Sequence, residues 1–143
     1  MQIKICAFQF ISHATAEYIE TTVTKTSSKI NFKCQVKNLK HLMQYCRFVR
    51  VDDNFGLNLV DGIGVDRYQY YGDGMKNGDC GMEIMNPNAG HMTQWKCYIG
   101  MMDVDDAANV KITDDNKRIY KYSALMDASD DWENLKSKCT FVY

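Results

Sequence analysis

The stretch Asp79–Cys97, DCGMEIMNPNAGHMTQWKC, sets two cysteines on either side of a turn. Before the turn, Cys80, Met82 and Ile84 alternate with Gly81, Glu83 and Met85. After it, Thr93, Trp95, Cys97 and Ile99 alternate with Gln94, Lys96 and Tyr98. Period-two alternation marks a strand with one buried face. The intervening NPNAGH is turn chemistry. Both cysteines therefore share a face with the apolar residues of their own strands.

The same pattern extends outward. KINFKCQV places Ile30, Phe32, Cys34 and Val36 opposite Lys29, Asn31, Lys33 and Gln35. HLMQYCRFVRV places Cys46 and Phe48 opposite Tyr45 and Arg47. DDNFGLNLVDGIGVD mixes turn residues with short apolar pieces and reads as a ragged hairpin. RYQYY is a short aromatic strand, GDGMKNGD is dense in turn signals, and ANVKIT (residues 108–113) reads as a last strand. Convincing helical periods are scarce before residue 120, and no internal repeat stands out. Many short strands with regular turns predict an all-β protein, a sandwich or barrel.

The totals narrow the class. A chain of 143 residues with 45% hydrophobic residues has enough apolar material for a core. A net charge of -1 and the lack of a Lys/Arg run argue against nucleic acid or an anionic membrane as partner. No stretch approaches the roughly 18 apolar residues that a membrane span needs. Six cysteines point to an oxidising compartment. None falls in a C-x-x-C pair, which disfavours zinc knuckles and thioredoxin-like redox motifs. The N-terminal MQIKICAFQFISHATA has an early lysine, an apolar run and Ala14-Thr15-Ala16, so residues 1–16 read as a secretory signal; an ordinary first strand is the alternative.

Strand logic suggests how the cysteines are used. Cys34 and Cys97 point inward on an early and a late strand and can meet across a sandwich core. Cys46 and Cys80 repeat the arrangement. Buried free thiols are the alternative.

In its order of Cys34, YCRFVRVD, RYQYYGDGMKNGDCGMEI and finally Trp95-Lys96-Cys97, the chain resembles the immunoglobulin-like domain, and more closely the arthropod secreted or cell-surface proteins that carry it. The resemblance covers roughly residues 18 to 112. It implies a β-sandwich of two antiparallel sheets, an inter-sheet bridge Cys34–Cys97, and a second bridge Cys46–Cys80. It also implies structural core roles for Trp95, Phe48 and Ile84. Two departures stand out. Residues 45–48 lack the usual core tryptophan, a volume Phe48 is expected to fill. His91-Met92-Thr93-Gln94-Trp95-Lys96-Cys97 replaces the usual Asp-x-Gly-x-Tyr-x-Cys. Trp95 has no hydroxyl for a tyrosine corner, so a loosened corner is expected there. Arg67, lacking its usual aspartate, is expected to face solvent or another carboxylate.

The expected organisation is a signal at 1–16, an immunoglobulin-like domain at 17–112 and a less regular tail at 113–143. NLKSKCTFVY alternates like the opening strand of a second such domain. The rivals are a Cys6–Cys139 bond within one domain, or a short amphipathic helix in SALMDASDDWENLKSK.

Catalytic signals are weak. His13, His41 and His91 are widely spaced and read as solvated loop side chains, and neither H-E-x-x-H nor G-x-S-x-G occurs. DVDDAAN begins like a calcium loop but carries Ala108 and Asp114 where glycine and glutamate are required. The reading is therefore a non-enzyme with no metal and no cofactor. Tyr68, Tyr70 and Tyr71 offer aromatic area of the kind used at protein interfaces. Alternation predicts that at least one of Tyr70 and Tyr71 is exposed. Asp73 and Asn77 in the following turn, and Asp103 and Asp105 in a late loop, complete the candidate protein-binding set. The expected function is an extracellular recognition or adhesion module for a protein partner, with a second copy among the partners it allows. The runner-up is a single-domain secreted effector of immune-recognition or venom type.

Overall fold

The computed structural model describes residues 2–6, 16–103, 119–129 and 140–142, with side chains for the two longer stretches. Among the described residues the strands are β1 (Gln2–Cys6), β2 (Tyr18–Lys25), β3 (Lys29–Lys37), β4 (Leu42–Arg50), β5 (Gly56–Leu59), β6 (Gly64–Val65), β7 (Tyr68–Tyr70), β8 (Asp79–Met85), β9 (Gln94–Met102), β10 (Ile119–Asp127) and β11 (Thr140–Val142). They form two antiparallel sheets. Sheet A runs β1-β2-β3-β8-β7-β6 and sheet B runs β11-β10-β9-β4-β5. The fold is all-β, as the alternation predicts, and its two sheets enclose one core.

That core is built from the inward rows. Ile30, Phe32, Cys34 and Val36 of β3 and Cys80, Met82 and Ile84 of β8 come from sheet A. Cys46 and Phe48 of β4 and Trp95, Cys97 and Ile99 of β9 come from sheet B. Phe32 bridges the sheets, with ring centroids 6.2 Å from Phe48 and 5.9 Å from Trp95. The tryptophan volume thus comes from β9, beside Phe48, instead of from β4.

Two disulfides cross this core. Cys34–Cys97 joins β3 to β9 and Cys46–Cys80 joins β4 to β8. The bridges run side by side, because Cys34 and Cys80 are direct partners across β3 and β8. The pairing of Cys6 and of Cys139 lies outside the described residues.

Several strands fall where the sequence reading had placed other things. Residues 2–6 pair with β2. The 113–143 stretch supplies β10, which pairs along its full length with β9, and Ser123–Asp127 is strand where a helix was one alternative. The ANVKIT segment lies outside the described residues. Strand β2, unread in the sequence, buries Ile19, Thr21, Val23 and Lys25. Lys25 is accommodated because its Nζ donates to the Ala128 carbonyl at 2.9 Å, which satisfies an otherwise costly buried charge.

The β8–β9 connection is tightly organised, contrary to the loosened corner expected. The Trp95 indole N–H donates to the His91 carbonyl at 3.1 Å, four residues upstream. A ring N–H thus does the work expected of a tyrosine hydroxyl. His91 is itself buried. Its Nδ1 accepts from the Asn88 N–H at 3.0 Å, so the neutral ring carries its proton on Nε2, 3.0 Å from the Tyr68 hydroxyl. Burial, followed by the nearby Arg67 and Arg50 charges, holds His91 below its ordinary pKa. Arg50 lies over Phe55 and Trp95 and grips Asp53 through Nε and Nη2. Arg67 donates to the Asn86 carbonyl at 3.0 Å, a main-chain acceptor instead of a carboxylate.

Candidate recognition face

The residues opposite the core row of sheet B form its outer face. On β4 these include Tyr45, Arg47 and Val49; on β9 Lys96, Tyr98 and Gly100; on β10 Lys121, Ser123 and Leu125. Register fixes their neighbours. Arg47 pairs across from Tyr98, Val49 from Lys96 and Tyr45 from Gly100. On the other side Tyr98 pairs with Ser123, Lys96 with Leu125 and Gly100 with Lys121.

Two glycines flatten this face. A Cβ on Gly100 would lie 2.0 Å from the Tyr45 ring, and one on Gly56 would lie 2.3 Å from an Arg47 guanidinium nitrogen. Both long side chains therefore lie down over bare backbone. Arg47 is held there by donating to Asn58 Oδ1 at 3.1 Å. Lys96 Nζ sits 5.6 Å from the Tyr98 ring centroid, a cation–π distance. Tyr45, Arg47, Val49, Asn58 and Tyr98 line a shallow open depression of about 620 Å³.

Charge is distributed differently on the two outer faces. On sheet A, Lys29 meets Glu83 at 3.4 Å and Lys33 meets Asp79 at 3.7 Å. On sheet B, Arg47, Lys96 and Lys121 have no ion pair among the described residues.

The residues singled out in the sequence lie elsewhere, on the β7–β8 side of sheet A and beside His41. Tyr68, Tyr70 and Tyr71 are all half-buried, so the exposed tyrosine expected at 70 or 71 is absent. Tyr68 packs on Phe55 and bonds His91. Tyr70 donates to the Asp79 carbonyl and accepts from the Gly74 N–H; burial pushes its hydroxyl up to about 12. Tyr71 lies under Lys33. Asp73 and Asn77 are exposed, but Asn77 donates back to the Asp73 carbonyl and the Asp73 N–H binds the buried Asp79 carboxylate. These groups together fold the β7–β8 loop.

Asp103 belongs to another cluster, and Asp105 lies outside the described residues. His41 has Nδ1 2.8 Å from Glu17 and Nε2 3.4 Å from Asp103, and its ring stacks on Tyr120. Glu17 also accepts from the Tyr122 hydroxyl and from the Lys40 and His41 N–H groups. Burial pushes the Glu17 carboxyl up. The hydrogen bonds from Tyr122, Lys40 and His41 outweigh it and leave the group below its ordinary value. Neither His41 nor His91 is the solvated loop side chain expected. Among the described residues no group of three or more His, Cys, Asp or Glu is placed to hold a metal ion, and no helix is long and apolar enough to cross a membrane.

Sequence reasoning passed over Tyr45, Arg47, Lys96 and Tyr98 as a site. The signal was present: alternation already set each of them opposite a core residue. No family model matches the chain, and no curated protein matches it.

Proposed function

We propose that the chain is a non-enzymatic extracellular recognition module of immunoglobulin type that binds another protein through the outer face of sheet B. The observation that carries this reading is the flattened, open face around Tyr98, whose aromatic and cationic side chains have no ion pair among the described residues. Aromatic residues and arginine are the types enriched at protein interfaces. The immunoglobulin-like assignment is supported by strand order. The runs β2-β3-β8-β7 and β10-β9-β4-β5 correspond to A-B-E-D and G-F-C-C′ in such sandwiches, with the bridge from β3 to β9 in the B–F position. The extracellular placement is supported by the two disulfides, which persist in oxidising compartments.

The test is a photo-crosslinking residue placed at position 98, and separately at position 69 on sheet A, with the protein applied to intact cells of its source. A protein adduct from position 98 that Arg47→Ala weakens is the expected result. Equal adducts from both positions would refute the face. One observation favours the second reading, a single-domain secreted effector: β1, β10 and β11 lie outside residues 17–112 and pair within the same two sheets.

A further inference from the structure

The register of sheet B gives the cations a definite layout. Strands lie about 4.8 Å apart and alternate residues about 6.8 Å apart. Taking Tyr98 as origin, Arg47 is its direct neighbour on β4, Lys96 lies two residues back along β9, and Lys121 lies diagonally across on β10. The three backbone positions therefore stand about 5, 7 and 8 Å from that of Tyr98. They surround it on three sides, with the Tyr45 ring filling the fourth. The outward positions from Tyr45 to Leu125 carry no carboxylate. With Arg47 anchored to Asn58, its fork is preordered for a planar anion.

Resting on the recognition reading above, we propose that this face takes an acidic polypeptide segment, with Tyr98 packed at the centre and Arg47, Lys96 and Lys121 meeting carboxylates around it. Charge complementarity names the occupant. Among the described residues none of the three cations has an ion pair, and Asp127, the next outward position on β10, is buried; a partner bringing carboxylates neutralises them while keeping like-charged partners away. The spacing suits a peptide: Lys96 and Tyr98 are about 7 Å apart, the rise over two residues of an extended chain, with Arg47 about 5 Å to the side of Tyr98. Val49, Leu125 and two tyrosines interleave the charges, which gives a peptide's own side chains apolar area to cover. A polysulfated glycan or an anionic bilayer would instead favour a denser basic cluster.

The test titrates the oxidised protein with a random copolymer of glutamate and tyrosine, following amide resonances by NMR. A heparin oligosaccharide and phosphatidylserine-containing vesicles are run in parallel at equal anionic charge. The expected result is copolymer binding with shifts centred on Arg47, Lys96, Tyr98 and Lys121, weakened at least tenfold by raising salt from 50 to 300 mM on the order of a Debye-length change. Arg47→Glu with Lys96→Glu should weaken binding at least tenfold. Lys37→Glu with Lys76→Glu, equal in charge but away from the face, should leave it unchanged. Lys121→Glu, at an exposed position, gives a second variant if the first pair unfolds, and should weaken binding about threefold.

Equal loss in the control pair, shifts centred on sheet A, or tighter binding of heparin or vesicles than of copolymer would each overturn the proposal. Failure here, with crosslinking from position 98 intact, sinks the acidic partner and leaves the recognition face. Loss of crosslinking sinks the recognition reading itself.

Discussion

Strand β9 carries two regions that differ at every step. Trp95, Cys97 and Ile99 are fully buried, with Cys97 cross-linked to Cys34 and the Trp95 indole hydrogen-bonded, whereas Lys96 and Tyr98 between them lie half-exposed, with no ion pair among the described residues. The difference teaches that the packed core and the proposed recognition face occupy alternate residues of the same strands, so point substitutions should separate their effects.

The strongest way to break the comparison is on the inner row. Trp95→Ala should cost about 5 kcal/mol, combining a core truncation with an orphaned His91 carbonyl. Trp95→Phe sharpens it, keeping much of the volume and losing the donor, for about 2 kcal/mol. Urea unfolding checks both. Next, Cys34→Ala with Cys97→Ala opens a loop of sequence separation 63 and should cost about 4 kcal/mol in the loop-entropy model, read as a fall in thermal midpoint.

Gly100→Ala tests the seam between the two regions. Its methyl meets the Tyr45 ring, so Tyr45 must lift off the sheet. A loss of about 1–3 kcal/mol is expected, with displaced Tyr45 resonances. Acidification supplies a graded probe. The His91 pKa is depressed in the folded state, so its contribution is complete above its ordinary 6.5 and drains as pH falls toward the folded value. Glu17, also depressed, loses its contribution in the same way below its ordinary 4.5. His91→Gln should flatten the upper window of the stability–pH curve and Glu17→Gln the lower. The smallest effect is expected on the outer row: Arg47→Ala should change unfolding free energy by less than about 0.5 kcal/mol while weakening recognition.

Much of this was legible in the sequence where one residue in two is strongly apolar. Strands β3, β4, β8 and β9 announce themselves in that way, and their cysteines mark the inner row. β2 does not, because its inward row includes Thr21 and Lys25, and the Ala128 carbonyl that receives the lysine lies far away in sequence. β10 does not, because Ser123-Ala124-Leu125-Met126 has fair helix propensity that pairing with β9 overrides. The recognition face was half legible. Alternation puts Arg47 and Tyr98 outside, but their adjacency depends on register between strands far apart in sequence, which no single strand encodes. Tyr68, Tyr70 and Tyr71 stand out by density, but their half-burial depends on partners such as His91 and Asp79 that no local pattern names.

The paired placement of Cys34 and Cys80 also bears on how the protein matures. Cys34 and Cys80 are direct partners in sheet A and Cys46 and Cys97 are diagonal neighbours in sheet B, so the two observed bonds compete with a pair of wrong ones, Cys34–Cys80 and Cys46–Cys97. The wrong pair spans neighbouring strands and would tie each sheet to itself, leaving neither of these two bonds between the sheets. Thiolate attack on an adjacent disulfide interconverts the two patterns. Maturation on this layout therefore calls for sorting bonds as well as forming them, and in refolding of the reduced protein a disulfide isomerase should raise the yield of correctly paired chain more than added oxidant does.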